Sequence, residues 1–270
     1  MKPTARCATR RTPLATAALI ACAAAVLPAH AGRTCEQKPP TIEQLRQSLE
    51  LAVRTVRWLD DSGAQVLVIA RRGQNLDSYG VTWSHLGFAY RDEAARAWRV
   101  VHKLNQCGTA ESAVFRQGLG EFFSDDLYRY EAALVVPTPA LQAALRPLLQ
   151  DNARVATLHT PAYNMVAYPW AQRYQQSNQW ALETLAYALE PSASDRGRAQ
   201  AWLQFKGYQP SVLRIDPLKR LGARVGSAHI AFDDHPNAKR FADRIETVTV
   251  DSVFAFLQAS GLGGAPQTLR

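Results

Sequence analysis

Residues 80–105 constrain the fold most strongly, because they contain two consecutive segments that read as β-strands. Both segments are rich in aromatic and β-branched residues, and a polar turn at residues 91–96 separates them. Each segment carries one histidine, His85 in the first and His102 in the second. Because strands joined by a short turn pair with each other, the two imidazoles are expected to be neighbours. They can then form an acid/base pair.

The rest of the chain predicts an α+β fold, an antiparallel sheet with packed helices. Helices and strands follow one another without regular β-α alternation, which argues against a doubly wound fold. Thr41 and Gln44 form a capping box for the first helix, and Ser177 or Asn178 is the predicted N-cap of a later one. The predicted helices are 41–60, 109–118, 141–149, 177–190, 199–205 and 252–258, the further strands are 65–70, 130–136, 211–215 and 245–250, and residues 121–129 are predicted as a loop.

Residues 1–31 have the pattern of a signal peptide. A basic segment ends at Arg11, an apolar run covers residues 14–27, and residues 29–31 match the small-x-small form of a cleavage site at Ala31. We therefore expect an exported protein, periplasmic in a bacterium. Two alternatives keep the chain outside the cytoplasm: lipidation at Cys22, and twin-arginine export through Arg10 and Arg11.

Residues 32–260 are expected to form one domain. Its core is predicted at about residues 41–190 and a C-terminal extension at about 199–260. Residues 261–270, which are rich in glycine and proline, are predicted to be a flexible tail. No apolar run after the leader approaches the roughly 20 residues of a membrane span.

The charge does not indicate nucleic-acid binding. The chain has 31 lysines and arginines against 23 acidic residues, but four of the basic residues lie in the predicted leader. The remaining excess is spread along the chain and forms no basic stripe. Nucleic acid is therefore not an expected partner.

Two cysteines, Cys35 and Cys107, remain after the leader. In an oxidising compartment two thiols most often pair, so a disulfide is predicted. Such a bridge would stabilise the fold by roughly 4 kcal/mol in the chain-entropy model. The alternative is that Cys107 is a free nucleophile.

The first candidate site combines His85, His102 and Ser177. A nucleophile at a helix start is favoured, because free backbone N–H groups there stabilise an oxyanion. A histidine on an adjoining strand can accept its proton, and a second polar residue can fix the tautomer of that histidine. In this hypothesis Ser177 is the nucleophile, His85 the base and His102 the orienting residue. Each residue also has an ordinary structural explanation, with Ser177 as a helix cap.

Two further patterns are candidate binding features. Asp233, Asp234 and His235 are contiguous and can supply an acid/base pair, although the same residues are typical of a turn. Without a second cluster at a fixed spacing they do not predict a metal site, and no cofactor is expected. The aromatic set Tyr163, Tyr168, Trp170, Tyr174 and Trp180 can line a groove or pack a loop onto the core. Trp170, Tyr174 and Asn178 are the predicted binding residues at this groove.

Four segments in combination resemble the bacterial family known as domain of unknown function 2145. They are residues 84–92 (Ser-His-Leu-Gly-Phe-Ala-Tyr-Arg-Asp), 105–109 (Asn-Gln-Cys-Gly-Thr), 177–180 (Ser-Asn-Gln-Trp) and 232–236 (Phe-Asp-Asp-His-Pro). The resemblance covers nearly the whole chain after the leader. It implies an exported bacterial protein and no particular reaction.

The order of elements is also similar to the circularly permuted branch of the NlpC/P60 papain-like superfamily. That resemblance implies a permuted papain-like core and a cysteine hydrolase or acyltransferase acting on peptide, amide or lipid bonds. His85 matches the base and His102 the orienting residue. Ser177 stands where that branch has cysteine.

The sequence thus predicts a cell-envelope hydrolase or acyltransferase-like protein with an amide or ester substrate. The alternatives are a non-catalytic binding module that uses the same groove, and a structural accessory protein.

Overall fold

The computed structural model describes residues 39–125 and 127–270, and a six-stranded antiparallel sheet lies at its centre. The strands are β1 (Val66–Arg72), β2 (His85–Asp92), β3 (Ala97–Asn105), β4 (Ser112–Gly118), β5 (Arg129–Val135), β6 (Ser211–Arg214), β7 (Arg244–Thr247) and β8 (Gln267–Leu269). Across the sheet the order is β4-β3-β2-β1-β5-β8, and β6 pairs with β7 separately. The predicted α+β class with an antiparallel sheet is confirmed.

Helices cover both faces of the sheet. They are α1 (Ile42–Asp61), α2 (Leu119–Phe123), α3 (Pro139–Gln150), α4 (Asn152–Ala156), α5 (Ser177–Leu189), α6 (Arg196–Phe205), α7 (Pro217–Gly226), α8 (Asn237–Arg240) and α9 (Val250–Ala259). The capping box of α1 is present, with Thr41 and Gln44 each accepting from the backbone N–H of the other. Hydrophobic contacts rather than local propensity then decide which face each helix covers.

Alternation along the strands divides the core into two layers. Leu67, Ile69 and Ala89 face one layer, where α1 and α2 pack. The intervening residues Val68 and Phe88 face the other layer, which contains α3, α5 and α9. The central strands β1 and β2 are therefore buried on both sides, and this explains their nearly continuous apolar sequence.

Residues between α6 and α9 contribute to a third, smaller hydrophobic cluster. Ile215 beside β6 and Ile245 in β7 pack with Phe232 and with Val166 of the preceding irregular region. This small cluster attaches the extension to the loop that precedes α5. It also supplies one wall of the cavity described below.

Three local predictions were wrong. The predicted helix at 109–118 is β4, whose half-buried residues pair with β3 from Ser112 opposite Asn105 to Gly118 opposite Arg99. The predicted loop at 121–129 begins inside α2, because Phe122 and Phe123 are fully buried. In the predicted flexible tail, β8 pairs with β5, and Leu269 packs against the α1 layer.

Candidate functional site

A cavity of about 290 Å³ lies where β2 and α5 begin. His85, the first residue of β2, and Ser177, the first residue of α5, both line this cavity. Most of its wall is apolar and includes residues from the C-terminal extension. Its lining includes Leu76, Val81, Trp83, Leu104, Met165, Val166, Leu213, Ile215, Ala223, Ile230, Phe232 and Val248.

His85 and His102 are in direct contact, as the adjacent strands predict. His85 Nε2 lies 2.8 Å from His102 Nδ1. The ring of Phe122 from α2 packs against both imidazoles, with its centroid 6.0 Å from His85 and 5.1 Å from His102. His102 is fully buried, and His85 keeps a small exposed fraction where it lines the cavity.

A chain of hydrogen bonds fixes the tautomers of the two histidines. Gln117 donates its Nε2–H to Glu121 Oε1 at 2.9 Å, so its Oε1 must face His102 Nε2, 2.6 Å away. His102 therefore carries its proton on Nε2, and its Nδ1 accepts from His85 Nε2. This assignment leaves Nδ1 of His85 with a lone pair. Because Nε2 is turned to His102, Nδ1 is the nitrogen available to a molecule in the cavity.

Both imidazoles are neutral at neutral pH. Burial, reinforced by the Arg71 charge, lowers the pKa of His102 to about 3. Burial also lowers the pKa of His85 well below its usual range, and Arg71 and His102 add to that effect. Arg71 lies opposite His85 in the β1–β2 register and also lines the cavity. Its guanidinium pairs with Asp125 Oδ2 at 2.5 Å.

Gly87 allows β2 and β3 to approach each other beside the histidines. A Cβ atom at Gly87 would lie 2.9 Å from Val100 Cγ1 and 3.1 Å from both His102 Cβ and the Val101 carbonyl oxygen. Real Cβ atoms are almost never found so close to other atoms. The glycine in the Ser-His-Leu-Gly segment is therefore required by strand packing.

Ser177 lies at the start of α5, but it is not the cap. Gln176 has the extended backbone of the N-cap position, and Ser177 is the first helical residue, which corrects the predicted cap. Ser177 is buried and hydrogen-bonded to the side chain of Tyr163. Burial raises the pKa of Tyr163, and the hydrogen bond to Ser177 partly opposes this shift. The structure brings His85 and His102 into contact and places Ser177 on the same cavity.

Asn178 has a buried hydrogen-bond acceptor beside Ser177. Its Nδ2 faces the Val248 carbonyl oxygen at 3.5 Å, which directs Oδ1 away from that carbonyl. Oδ1 is buried and makes no hydrogen bond within the described part of the chain. Asn178 is part of the cavity lining, but this oxygen is itself covered by protein atoms and is not open to a molecule in the cavity.

A buried polar network holds the segment before α5. Arg196 of α6 makes a two-point ion pair with Glu183 of α5, with Nε to Oε2 at 2.9 Å and Nη2 to Oε1 at 3.2 Å. The same guanidinium donates to the carbonyl oxygens of Ala171, Gln172 and Tyr174. The loop leading into α5 is thereby anchored to the interior.

Lys103 of β3 joins this network from the sheet. Its Nζ donates to the Thr160 carbonyl oxygen at 2.8 Å and to Gln175 Oε1 at 2.7 Å. Burial, followed by the positive charge of Arg196, lowers the pKa of Lys103 to about 6, and Glu183 opposes the shift. Lys103 thus fixes the residues immediately before Gln176.

Asp233, Asp234 and His235 connect the extension to the irregular region. His235 Nδ1 lies 3.0 Å from Asp234 Oδ1, and its Nε2 donates to the Glu246 carbonyl oxygen at 3.0 Å. Asp234 Oδ2 accepts from the Tyr168 backbone N–H, and Asp233 pairs with Arg173. These three residues lie outside the cavity lining. In the described residues, no group of three His, Cys, Asp or Glu side chains is arranged to hold a metal ion.

The aromatic residues are divided between the core and the surface. Trp180 is fully buried, and Trp170 packs edge-on against Tyr208 with the ring centroids 6.0 Å apart. Tyr174 lies beside Arg173, outside the cavity, whereas Tyr163 lines it. Trp170 and Tyr174 were predicted to bind at the same groove as Asn178. In the structure Asn178 lines the cavity, whereas Trp170 and Tyr174 do not.

Sequence reasoning missed Gln117, Glu121, Arg71 and Lys103. Gln117 and Glu121 lie in segments whose secondary structure was predicted wrongly, so their positions relative to His102 were not visible. Lys103 directly follows His102 and is flanked by the apolar residues Val101 and Leu104. Because lysine is almost never buried unless it is paired, a lysine at this position indicates a buried hydrogen-bond partner. Arg71 follows a buried strand and offers a similar signal.

Several predictions fall on residues outside the described part of the chain. The signal peptide, Cys22 and Cys35 are among residues 1–38. Cys107 follows β3, and its pairing with Cys35 stays a prediction. Across residues 39–125 and 127–270, no helix has both the length and the apolar character needed to span a bilayer.

One comparison with known proteins identifies a family. The family described as "Uncharacterized protein conserved in bacteria (DUF2145)" matches residues 58–257, which include every residue of the site described above. No curated protein and no solved structure matches the chain.

Proposed function

Since the chain belongs to this family of uncharacterised bacterial proteins, we propose its function from the site: it is an exported hydrolase or acyltransferase with a permuted papain-like core. The substrate is an amide or ester of the cell envelope. The hydrogen-bond chain from Glu121 through Gln117 and His102 to His85 is the observation that carries the proposal, because it leaves His85 Nδ1 unprotonated at the cavity.

Each group has a definite role in the proposed reaction. Ser177 Oγ attacks the carbonyl carbon of the substrate and gives its proton to His85 Nδ1. The free N–H groups at the start of α5 stabilise the oxyanion. His85 then passes the proton to the leaving group, and water or a second acceptor releases the acyl group from Ser177. His102 holds the His85 ring through Nδ1.

The low pKa of His85 predicts slow chemistry at this site. A general base works best when its pKa lies near the working pH, and burial and Arg71 keep the pKa of His85 far below that. Ser177 is also engaged by Tyr163. These two observations favour a second candidate function, a binding module that holds an apolar ligand in the cavity without cleaving it.

Replacing Ser177 by cysteine tests the proposed nucleophile. A thiol beside a histidine base at a helix start reacts faster than an ordinary thiol, so Ser177→Cys should be alkylated by iodoacetamide at least roughly tenfold faster than a matched thiol elsewhere in the cavity. Ser84→Cys is that control, because Ser84 lines the same cavity with its hydroxyl bonded to the Gly73 N–H. Peptide mapping by mass spectrometry locates the label and separates it from Cys107.

The dependence on His85 distinguishes the two candidate functions. Adding His85→Gln should abolish the fast alkylation of Ser177→Cys while leaving that of Ser84→Cys unchanged, with the fold checked by circular dichroism. In the wild-type chain, a fluorophosphonate should label Ser177 and not Ser84. Equal alkylation rates at both introduced thiols, independent of His85, would contradict the enzyme and leave the binding module.

A further inference from the structure

Helix α7 directs an apolar stripe into solvent. Leu218, Leu221 and Val225 are spaced three and four residues apart, so they lie on one face of the helix. Their exposed fractions are 80%, 61% and 66%. An amphipathic helix on a globular protein normally buries such a stripe against the core. The stripe of α7 is unpartnered in the described residues.

The side of α7 that faces the protein makes both polar and apolar contacts, and Ala223 packs against the cluster of Val166, Ile215, Phe232 and Ile245. Arg220 Nη1 donates to the Ile215 carbonyl oxygen and to Asp243 Oδ1, each at 2.5 Å. Lys219 and Ala223 line the cavity. Arg220 and Ala223 thus hold this side of α7 against the protein, and the apolar stripe faces outward.

Cations flank the stripe. Arg214 and Arg224 are exposed, and the Lys219 side chain is 66% exposed. Asp216 is the single acidic residue in residues 211–226, and it caps α7 by accepting from the Lys219 backbone N–H at 2.9 Å. Lys219 Nζ lies 3.6 Å from Asp216 Oδ2, so Asp216 partly balances its charge, whereas no ion pair of Arg214 or Arg224 is found in the described residues. The exposed surface of α7 therefore combines three large apolar side chains with an excess of positive charge.

We propose that α7 docks this protein on an anionic lipid surface. Helices with an exposed apolar stripe and basic flanks lie in the membrane interface, with the stripe among the acyl chains and the cations at the headgroups. A second copy of this chain fits the surface poorly, because a two-fold contact centred on the stripe would bring Lys219 of one copy near Arg224 of the other, two like charges.

Docking through α7 would place the cavity at the membrane. Lys219 is both exposed and part of the cavity lining, so the cavity reaches solvent beside α7. This docking surface does not depend on whether Ser177 is a nucleophile.

Vesicle co-sedimentation tests the proposal. The purified protein, with its N-terminus established by intact mass, is mixed with vesicles containing phosphatidylglycerol or with vesicles of phosphatidylcholine alone. We expect binding to the anionic vesicles that weakens as salt is raised. The combined variant Leu218→Ser, Leu221→Ser and Val225→Ser should bind at least roughly tenfold more weakly, and Arg224→Gln roughly fivefold.

Phe205→Ser is the matched control, because Phe205 is an 83% exposed apolar residue beside Lys206 on a different helix, α6. It should leave vesicle binding unchanged. Three results would overturn the proposal. The wild-type protein does not bind vesicles that contain phosphatidylglycerol, it binds phosphatidylcholine vesicles equally well, or the triple serine variant of α7 binds as well as the wild type. Sedimentation velocity adds a further contrary outcome: an assembly that the α7 substitutions dissociate, without any vesicle binding, would make the stripe an interface between copies.

Discussion

A single amide side chain sets the protonation pattern of the histidine pair. Gln117 can face His102 only through Oε1, because Glu121 takes its N–H, and every proton down to His85 follows from that orientation. Sequence reasoning found the two histidines, since strand neighbours joined by a short turn must pair. It could not find Gln117, because the register of β4 depends on tertiary pairing rather than on local pattern.

The histidine pair should make stability depend on pH in a known direction. The pKa of His102 is about 3 in the folded protein and about 6.5 in an unfolded chain, so the unfolded state binds the extra proton. The contribution of His102 to the free energy of unfolding is therefore fully present above pH 6.5 and is lost as the pH falls towards 3. The expected loss is about 1.4 kcal/mol per pH unit within that window.

Urea unfolding at pH 7, 6 and 5 measures this slope. His102→Gln should lower stability at pH 7 but show a shallower dependence between pH 6.5 and 5. His159, whose pKa burial lowers to about 4, is present in both proteins and contributes equally to both slopes. The difference between the slopes therefore reports His102 together with its effect on the pKa of His85. Parallel slopes in the two proteins would show that His102 does not titrate differently on unfolding.

At the level of elements, the start of α5 depends on the Glu183–Arg196 pair. Both side chains are buried, and Arg196 holds three carbonyl oxygens of the preceding loop. The sequence identified α5 and its broad apolar face, but not this pair, because partners thirteen residues apart on two helices leave no local signal.

Removing Arg196 should strongly destabilise the protein. Arg196→Leu leaves the buried Glu183 carboxylate with hydrogen bonds from Gln175 and Gln200 but without a balancing positive charge. Removing one member of a buried ion pair typically costs about 3–5 kcal/mol. Arg198→Ala is the matched control on the same helix, because Arg198 pairs with Asp195 in solvent, and its effect should stay below about 1 kcal/mol. Denaturant unfolding of both variants checks this, and similar losses would mean that the buried pair has no special role.

For the whole molecule, residues 267–269 supply the outer strand of the sheet beside β5. Periodicity predicted the α+β class, the two histidine strands and most helices, because those follow from alternation and amphipathic spacing. The role of residues 261–270 could not be predicted, because three residues of ordinary composition become a strand only where an open edge of β5 is available. The division of the core between two layers could not be predicted either, because it depends on which helices pack on each face of the sheet.

Truncation after Gly264 should therefore destabilise the protein by about 1–3 kcal/mol. It removes the β5–β8 pairing and the packing of Leu269, and it leaves the edge of β5 open to other chains. Thermal unfolding and light scattering of the truncated chain measure both effects. As a control, Arg270→Ala removes only a mostly exposed ion pair with Glu131, and it should change little. Unaltered melting and solubility after truncation would show that β8 is dispensable.

The position of the cavity wall in the chain also has a consequence for the timing of folding. Leu213, Ile230 and Val248 line the cavity, and β8 closes the sheet from residues 267–269. A chain emerging from the ribosome can pair β1 to β5 well before these residues appear. Its binding site can form only after residues 213–249 have emerged, so the growing chain passes through a stage with a paired sheet and no complete cavity.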